Sequence, residues 1–187
     1  RLPPRSLLAQ NGEVPPMTVT PSIPSGIKAG AVVSCRFPHQ EAPAQPGPTA
    51  RPCLVIRTMI DTPRDRWMAV VAYGTSKTGR ANSGFEYTLT GAAATAAGLN
   101  RPTRFVLNRL RLLPVDEAFF VFSGKSDGAI GQIPEDERPE LATAMSRMRD
   151  HIPRLAPILA AHTPAKTHNA SAIDTMMREH ARGRNPN

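Results

Sequence analysis

With 187 residues, a formal charge of +8 from 23 Lys and Arg against 15 Asp and Glu, and 40% hydrophobic residues, the chain has room for one domain with appendages and enough apolar material for a core. Two cysteines, Cys35 and Cys53, are too few for a structural zinc site or a disulfide framework, and no stretch approaches the ~20 apolar residues of a membrane span, which excludes zinc-finger modules, disulfide-rich secreted domains and helical membrane proteins. The positive balance favours a polyanion or an acidic protein as partner, although a surface charged for solubility has the same balance.

Residues 1–25 carry Pro3, Pro4, Pro15, Pro16, Pro21 and Pro24, which interrupt any regular element, and lack the continuous apolar block of a signal peptide. The segment reads as a flexible arm with Met17 as an alternative start, and the expected location is cytoplasmic. The first β-type run is Gly30-Ala31-Val32-Val33-Ser34-Cys35-Arg36-Phe37, closed by Pro38. A Pro/Gly-rich loop with Pro43, Pro46 and Pro48 leads to the next, Pro52-Cys53-Leu54-Val55-Ile56-Arg57. Both cysteines lie in these runs and are expected as buried, reduced thiols; a disulfide is the alternative if the two strands are neighbours.

After the turn-like Asp61-Thr62-Pro63-Arg64-Asp65 comes a third run, Arg66-Trp67-Met68-Ala69-Val70-Val71-Ala72-Tyr73, and then Phe85-Glu86-Tyr87-Thr88-Leu89. Five alanines between Gly91 and Gly98 suit a short helix or turn. Thr103-Arg104-Phe105-Val106-Leu107 and Arg109-Leu110-Arg111-Leu112-Leu113 follow as strands, ending at Pro114, with Leu110 and Leu112 inward and Arg109 and Arg111 outward. Six short strands and one helical interruption predict a mainly β (α+β) chain with a small barrel over residues 26–122, since a parallel sheet would need a helix between most strands.

Beyond it, Leu141, Ala144, Met145, Met148 and Ile152 recur at helical spacing from a start near Pro139. Residues 123–162 are thus expected as a helical appendage packed on the barrel or on a second subunit. Residues 163–187 form a basic tail in which residues 171–182, with Ile173, Met176 and Met177, suit a further short helix.

The ordered set Gly30-Ala31-Val32-Val33, Phe37-Pro38 and Thr49-Ala50-Arg51-Pro52-Cys53-Leu54-Val55-Ile56 resembles the opening of the PemK/MazF toxins, which begin with a Gly-Asp-Val-Val-like strand and continue through a Gly/Gln-rich loop to Arg-Pro and an apolar strand. Tyr73-Gly74-Thr75-Ser76-Lys77 is similar to the family's strand end with its Thr/Ser-rich turn, and Phe105-Val106-Leu107-Asn108-Arg109-Leu110-Arg111 to its later strand pair. The likeness covers about half of the chain. It implies an SH3-like barrel, a homodimer, and a metal-independent endoribonuclease without cofactor, inhibited by an antitoxin protein.

Such an enzyme must deprotonate a 2′-hydroxyl as it attacks the adjacent phosphorus, stabilise the charge that develops, and protonate the leaving oxygen. Arg51 suits the charge-stabilising role, since a guanidinium holds two phosphate oxygens at once, and it matches the family's catalytic arginine. The resemblance carries Thr75 over as the hydroxyl group near the scissile phosphate; a slip of one or two positions would put Ser76 or Tyr73 there, and a turn residue capping a backbone group is the plainer reading of Thr75. Where some family members carry an acid/base Asp, this chain has Asn108, which does not titrate. His39, on the loop after the first strand, is the candidate for the missing proton transfer, against the plainer reading of a solvated loop imidazole.

RNA contacts are expected from Arg104, Arg109 and Arg111 on phosphates, from Ser76, Lys77 and Asn108 beside them, and from Tyr73 and Tyr87 stacking on single-stranded bases, with Trp67 the aromatic expected in the core. Two other classes fit the same residues: a non-catalytic SH3-like module that binds nucleic acid or protein, supported by Asn108 and the tails, and an assembly component whose arm and helices wrap neighbours. No Gly-rich phosphate loop opens a helix, and neither His-Glu-x-x-His nor Gly-x-Ser-x-Gly occurs. Ser123-Gly124-Lys125-Ser126 reads as a polar turn.

Overall fold

The computed structural model describes residues 22–77, 84–122 and 127–151. Most of the expected arm, the Ser123-Gly124-Lys125-Ser126 turn, Ile152 and the basic tail with its short helix lie outside them. The elements in chain order are β1 (Ala31–Cys35), β2 (Arg51–Asp61), β3 (Arg66–Thr75), β4 (Glu86–Leu89), α1 (Gly91–Ala96), β5 (Thr103–Pro114), β6 (Gly131–Gln132) and α2 (Arg138–His151). The strands form one antiparallel sheet in the order β4-β5-β3-β2-β1-β6, curled into a half-barrel.

Both faces of this sheet are covered, which explains why β1 to β3 read as continuous apolar runs rather than clean alternations. On one face Val32, Leu54, Val70, Ala72, Phe105, Leu107 and Leu110 pack against Ala94 and Ala97 of the α1 region and Leu141, Ala144, Met145 and Met148 of α2. The α2 stripe is the one expected from helical spacing. On the other face Val33, Cys35, Cys53, Val55, Ala69 and Val71 pack against Ile27, Phe119 and Phe120. Cys35 and Cys53 share this second core as free, buried thiols.

Two bulges set where side chains point. In β2, Val55 pairs with Val71 but Arg57 with Val70, so the extra Ile56 reverses the alternation and Met59 returns to the helix-covered face. Past this bulge β2 stays paired with β3 to Asp61, beyond the expected end at Arg57. In β5, Ala72 pairs with Leu110 and Tyr73 with Val106, so Leu107, Asn108 and Arg109 have no partner on β3. The two strands expected around Asn108 are therefore one bulged strand. As expected, Leu110 is buried and Leu112 packs against the helix-covered core; Arg109 and Arg111 lie on the other side, half-buried rather than fully outward.

The sheet also draws on residues past the expected boundary at 122. Gly131 and Gln132 pair with Val32 and Ala31, and the Gly26 amide donates to the Asp127 carbonyl. Residues 22–25, expected in the arm, lie against the body: Ile23 packs on the second core, and the Ser25 hydroxyl donates to Asp127. No helix of the described residues is long and apolar enough to cross a membrane.

Candidate functional site

At the end of the sheet where β1 finishes, β2 starts and β3 finishes, a shallow cleft of about 80 Å³ is lined by Phe37, Pro38, His39, Pro48, Thr49, Arg51, Tyr73 and Arg109. Its walls follow from the local sequence. Pro38 ends the first run, and the loop it opens is pinned back by the Gly47 amide, which donates to the Arg36 carbonyl at 2.9 Å. Gly47 packs so tightly there that a Cβ would strike the Phe37 carbonyl oxygen. That loop delivers Pro48 and Thr49 to the cleft and feeds Arg51 into β2. Cys35 pairs with Arg51 and Cys53 with Tyr73, so Arg51 and Tyr73 share the face of the second core.

Arg109 reaches the same cleft through the β5 bulge. Its guanidinium carbon lies 4.3 Å from the centre of the Tyr73 ring and 6.0 Å from that of Phe37, while the Arg51 guanidinium lies 5.8 Å from Tyr73. Phe37 meets Tyr73 edge-on, with ring centres 5.3 Å apart. Two guanidinium groups thus converge on one aromatic ring with an imidazole beside them, and among the described residues no carboxylate lines the cleft. Among the described residues neither arginine is in an ion pair. Such a site attracts anions, and the planar, permanently charged guanidinium groups suit phosphate oxygens.

Of the expected site residues, Arg51, His39, Tyr73 and Arg109 meet in this cleft. Thr75 lies two positions beyond Tyr73 on the same strand, half-buried and outside the lining. Its hydroxyl accepts from the Lys77 amide at 3.2 Å, the capping arrangement that was its plainer reading. Ser76 and Lys77 are exposed just beyond. Arg104 pairs with Glu86 at 3.5 Å and donates to the Lys77 carbonyl, so it ties the end of β3 to β4. Arg111 is half-buried and donates to the Leu110 carbonyl at 3.0 Å. The Arg111 Nε and the Asn108 Oδ1 are buried without a hydrogen-bond partner among the described residues.

Tyr87 departs from expectation. It is 1% exposed and lies in the helix-covered core, stacked on Phe105 with its hydroxyl donating to Glu137 at 3.3 Å, so it has no free face for a base. Burial, reinforced by the neighbouring Glu137 carboxylate, pushes its phenol well above the ordinary range. The cause is the alternation of β4: Tyr87 and Leu89 point inward, Glu86 and Thr88 do not. Trp67, expected in the core, is instead half-buried near the β2–β3 turn.

Phe37, Pro38, Pro48 and Thr49 are cleft residues not expected from the sequence. The available signal was a pair of loop termini, Phe37-Pro38 and Pro48-Thr49, flanking the Arg51 strand entry. Below the cleft, burial pushes the Cys53 thiol up, with the Cys35 thiol beside it adding to the effect. Among the described residues no three His, Cys, Asp or Glu side chains gather as metal ligands. The chain matches no protein-family model and no curated protein.

Proposed function

We propose that the protein is an endoribonuclease of the PemK/MazF type, built on an SH3-like barrel, that cleaves single-stranded RNA without a metal and is restrained by an antitoxin. The carrying observation is the convergence of Arg51 and Arg109 beside His39 in a cleft that no carboxylate of the described residues lines. In this reading the two guanidinium groups hold the scissile phosphate. His39 accepts the 2′-hydroxyl proton as that oxygen bonds to phosphorus; the bond to the 5′-oxygen breaks, and the departing oxygen takes up a proton. The products are a 2′,3′-cyclic phosphate and a free 5′-hydroxyl. A homodimer follows from the same resemblance.

The test is cleavage of a long single-stranded RNA by the purified chain in the presence of chelator. Arg51→Ala is expected to slow cleavage by about 10³-fold, the scale for removing one charge-stabilising donor. RNA left intact by the folded native chain would refute the enzyme reading and favour a module that binds without cutting. The amide of Asn108, at the position of the family's acid/base Asp, is the observation on that side.

A further inference from the structure

Tyr73 was expected to stack on a base, yet its ring is already engaged. The Arg109 guanidinium sits 4.3 Å from the ring centre, Arg51 lies 5.8 Å from it, and the edge contact with Phe37 fixes the ring from the side. A base arriving on the same surface would have to displace a guanidinium that gains from the quadrupole of the ring. Arg109 itself comes from the segment of β5 that has no partner on β3, so the backbone ladder opposite Tyr73 does not fix its direction. Among the described residues no carboxylate pairs with it. The aromatic pair is what aims this side chain.

We infer that Tyr73 is a positioning residue: with Phe37 it holds Arg109, and more loosely Arg51, as an oriented phosphate clamp, and the cleft takes the sugar–phosphate backbone rather than a stacked base. The inference deepens the nucleic-acid reading and rests on it. Its consequence is that sequence preference is not read at Tyr73. The ring acts through the arginine, and its hydroxyl is dispensable.

The experiment compares two fluorescent probes of equal length, an oligouridylate and an abasic sugar–phosphate oligomer, against the native chain, Tyr73→Phe, Tyr73→Leu and Arg109→Ala. Tyr73→Phe should bind both probes as the native chain does. Tyr73→Leu should lose about tenfold in affinity for both, between the scale of an exposed cation–π contact and that of a desolvated one. Tyr73→Leu added to Arg109→Ala should cost clearly less than Tyr73→Leu costs in the native chain, because the ring then has only the loosely held Arg51 left to aim. A loss confined to the oligouridylate would overturn the inference in favour of base stacking, and an equal loss in Tyr73→Phe would overturn it in favour of a direct hydroxyl contact. The positioning is also readable without RNA: the Arg109 side-chain NH resonance, assigned with Arg109→Lys, should be shifted upfield by the ring in the native chain and in Tyr73→Phe. A random-coil position in both would overturn the inference whether or not Tyr73→Leu folds. The upfield shift with neither probe bound would leave the positioning standing and remove the nucleic-acid reading instead.

Discussion

The two ends of the β2–β3 hairpin handle arginine in opposite ways. At the turn end, Asp61 takes Arg64 at 3.1 Å and Arg66 at 3.5 Å, so one carboxylate is shared by two guanidinium groups. At the open end, Arg51 and Arg109 lean on Tyr73 and Phe37, and no acid of the described residues joins them. The same residue type therefore makes an ordinary surface pair at the turn end and, among the described residues, an oriented charge without an acidic partner at the open end. The difference lies in what supplies the second partner: a carboxylate satisfies the charge, whereas an aromatic ring orients it and leaves its hydrogen-bond donors to a ligand.

This contrast can be broken by giving the open end its missing acid. Thr49 is exposed in the cleft beside Arg51, and Thr49→Asp should lower RNA affinity about 100-fold, or ~2.7 kcal/mol, by competing for the guanidinium and repelling phosphate. Fluorescence titration checks this, and unchanged affinity would mean that the cleft is not the anion site. Next in size is the frame beneath it. Gly74 lies against Pro52 so closely that a Cβ would strike its carbonyl oxygen, so Gly74→Ala should cost about 1–3 kcal/mol in denaturant unfolding while the turn end stays paired.

The smallest effect is expected at the turn end. The hydrogen bond from Arg64, with Arg66 adding its charge, holds the Asp61 carboxyl below its ordinary value. A depressed carboxyl means that the unfolded chain binds the proton more readily, so the pair stabilises the fold above the ordinary carboxylate pKa of about 3.9 and stops doing so as pH falls through the folded value. Asp61→Asn should therefore flatten the acid limb of melting temperature against pH. The pair is exposed, so the change should be slight, and RNA affinity should not move. If freeing Arg64 and Arg66 created a second RNA site, charge alone would suffice and the aromatic cradle would be irrelevant.

Much of the sheet was legible from the sequence because its signals are local. Apolar runs closed by Pro38 and Pro114, and the α2 stripe of Leu141, Ala144, Met145 and Met148, gave strands and helix close to where they lie. The bulges were not legible. Ile56 and the segment around Asn108 break the period of two, and a broken period in a single sequence reads as the end of a strand. β6 is two residues long and is a strand only because β1 needs a partner, which no local pattern encodes. In the cleft, Arg51 was found through the Arg-Pro entry and Arg109 through its outward register. The exchange between Tyr87 and Trp67 was missed because which aromatic is buried depends on the cover of each face, and that is decided by α2 and by residues far along the chain.

The β5 bulge has a consequence for how such a protein can change. Leu107, Asn108 and Arg109 stand outside the β3–β5 ladder, which resumes with Leu110 opposite Ala72. Asn108 and Arg109 can thus be exchanged without shifting the register on either side, whereas a change at Ala72 or Leu110 meets the core at once. On the proposed reading, Arg109→Ala should therefore remove one guanidinium from the cleft while leaving the β3–β5 register and the core on either side in place.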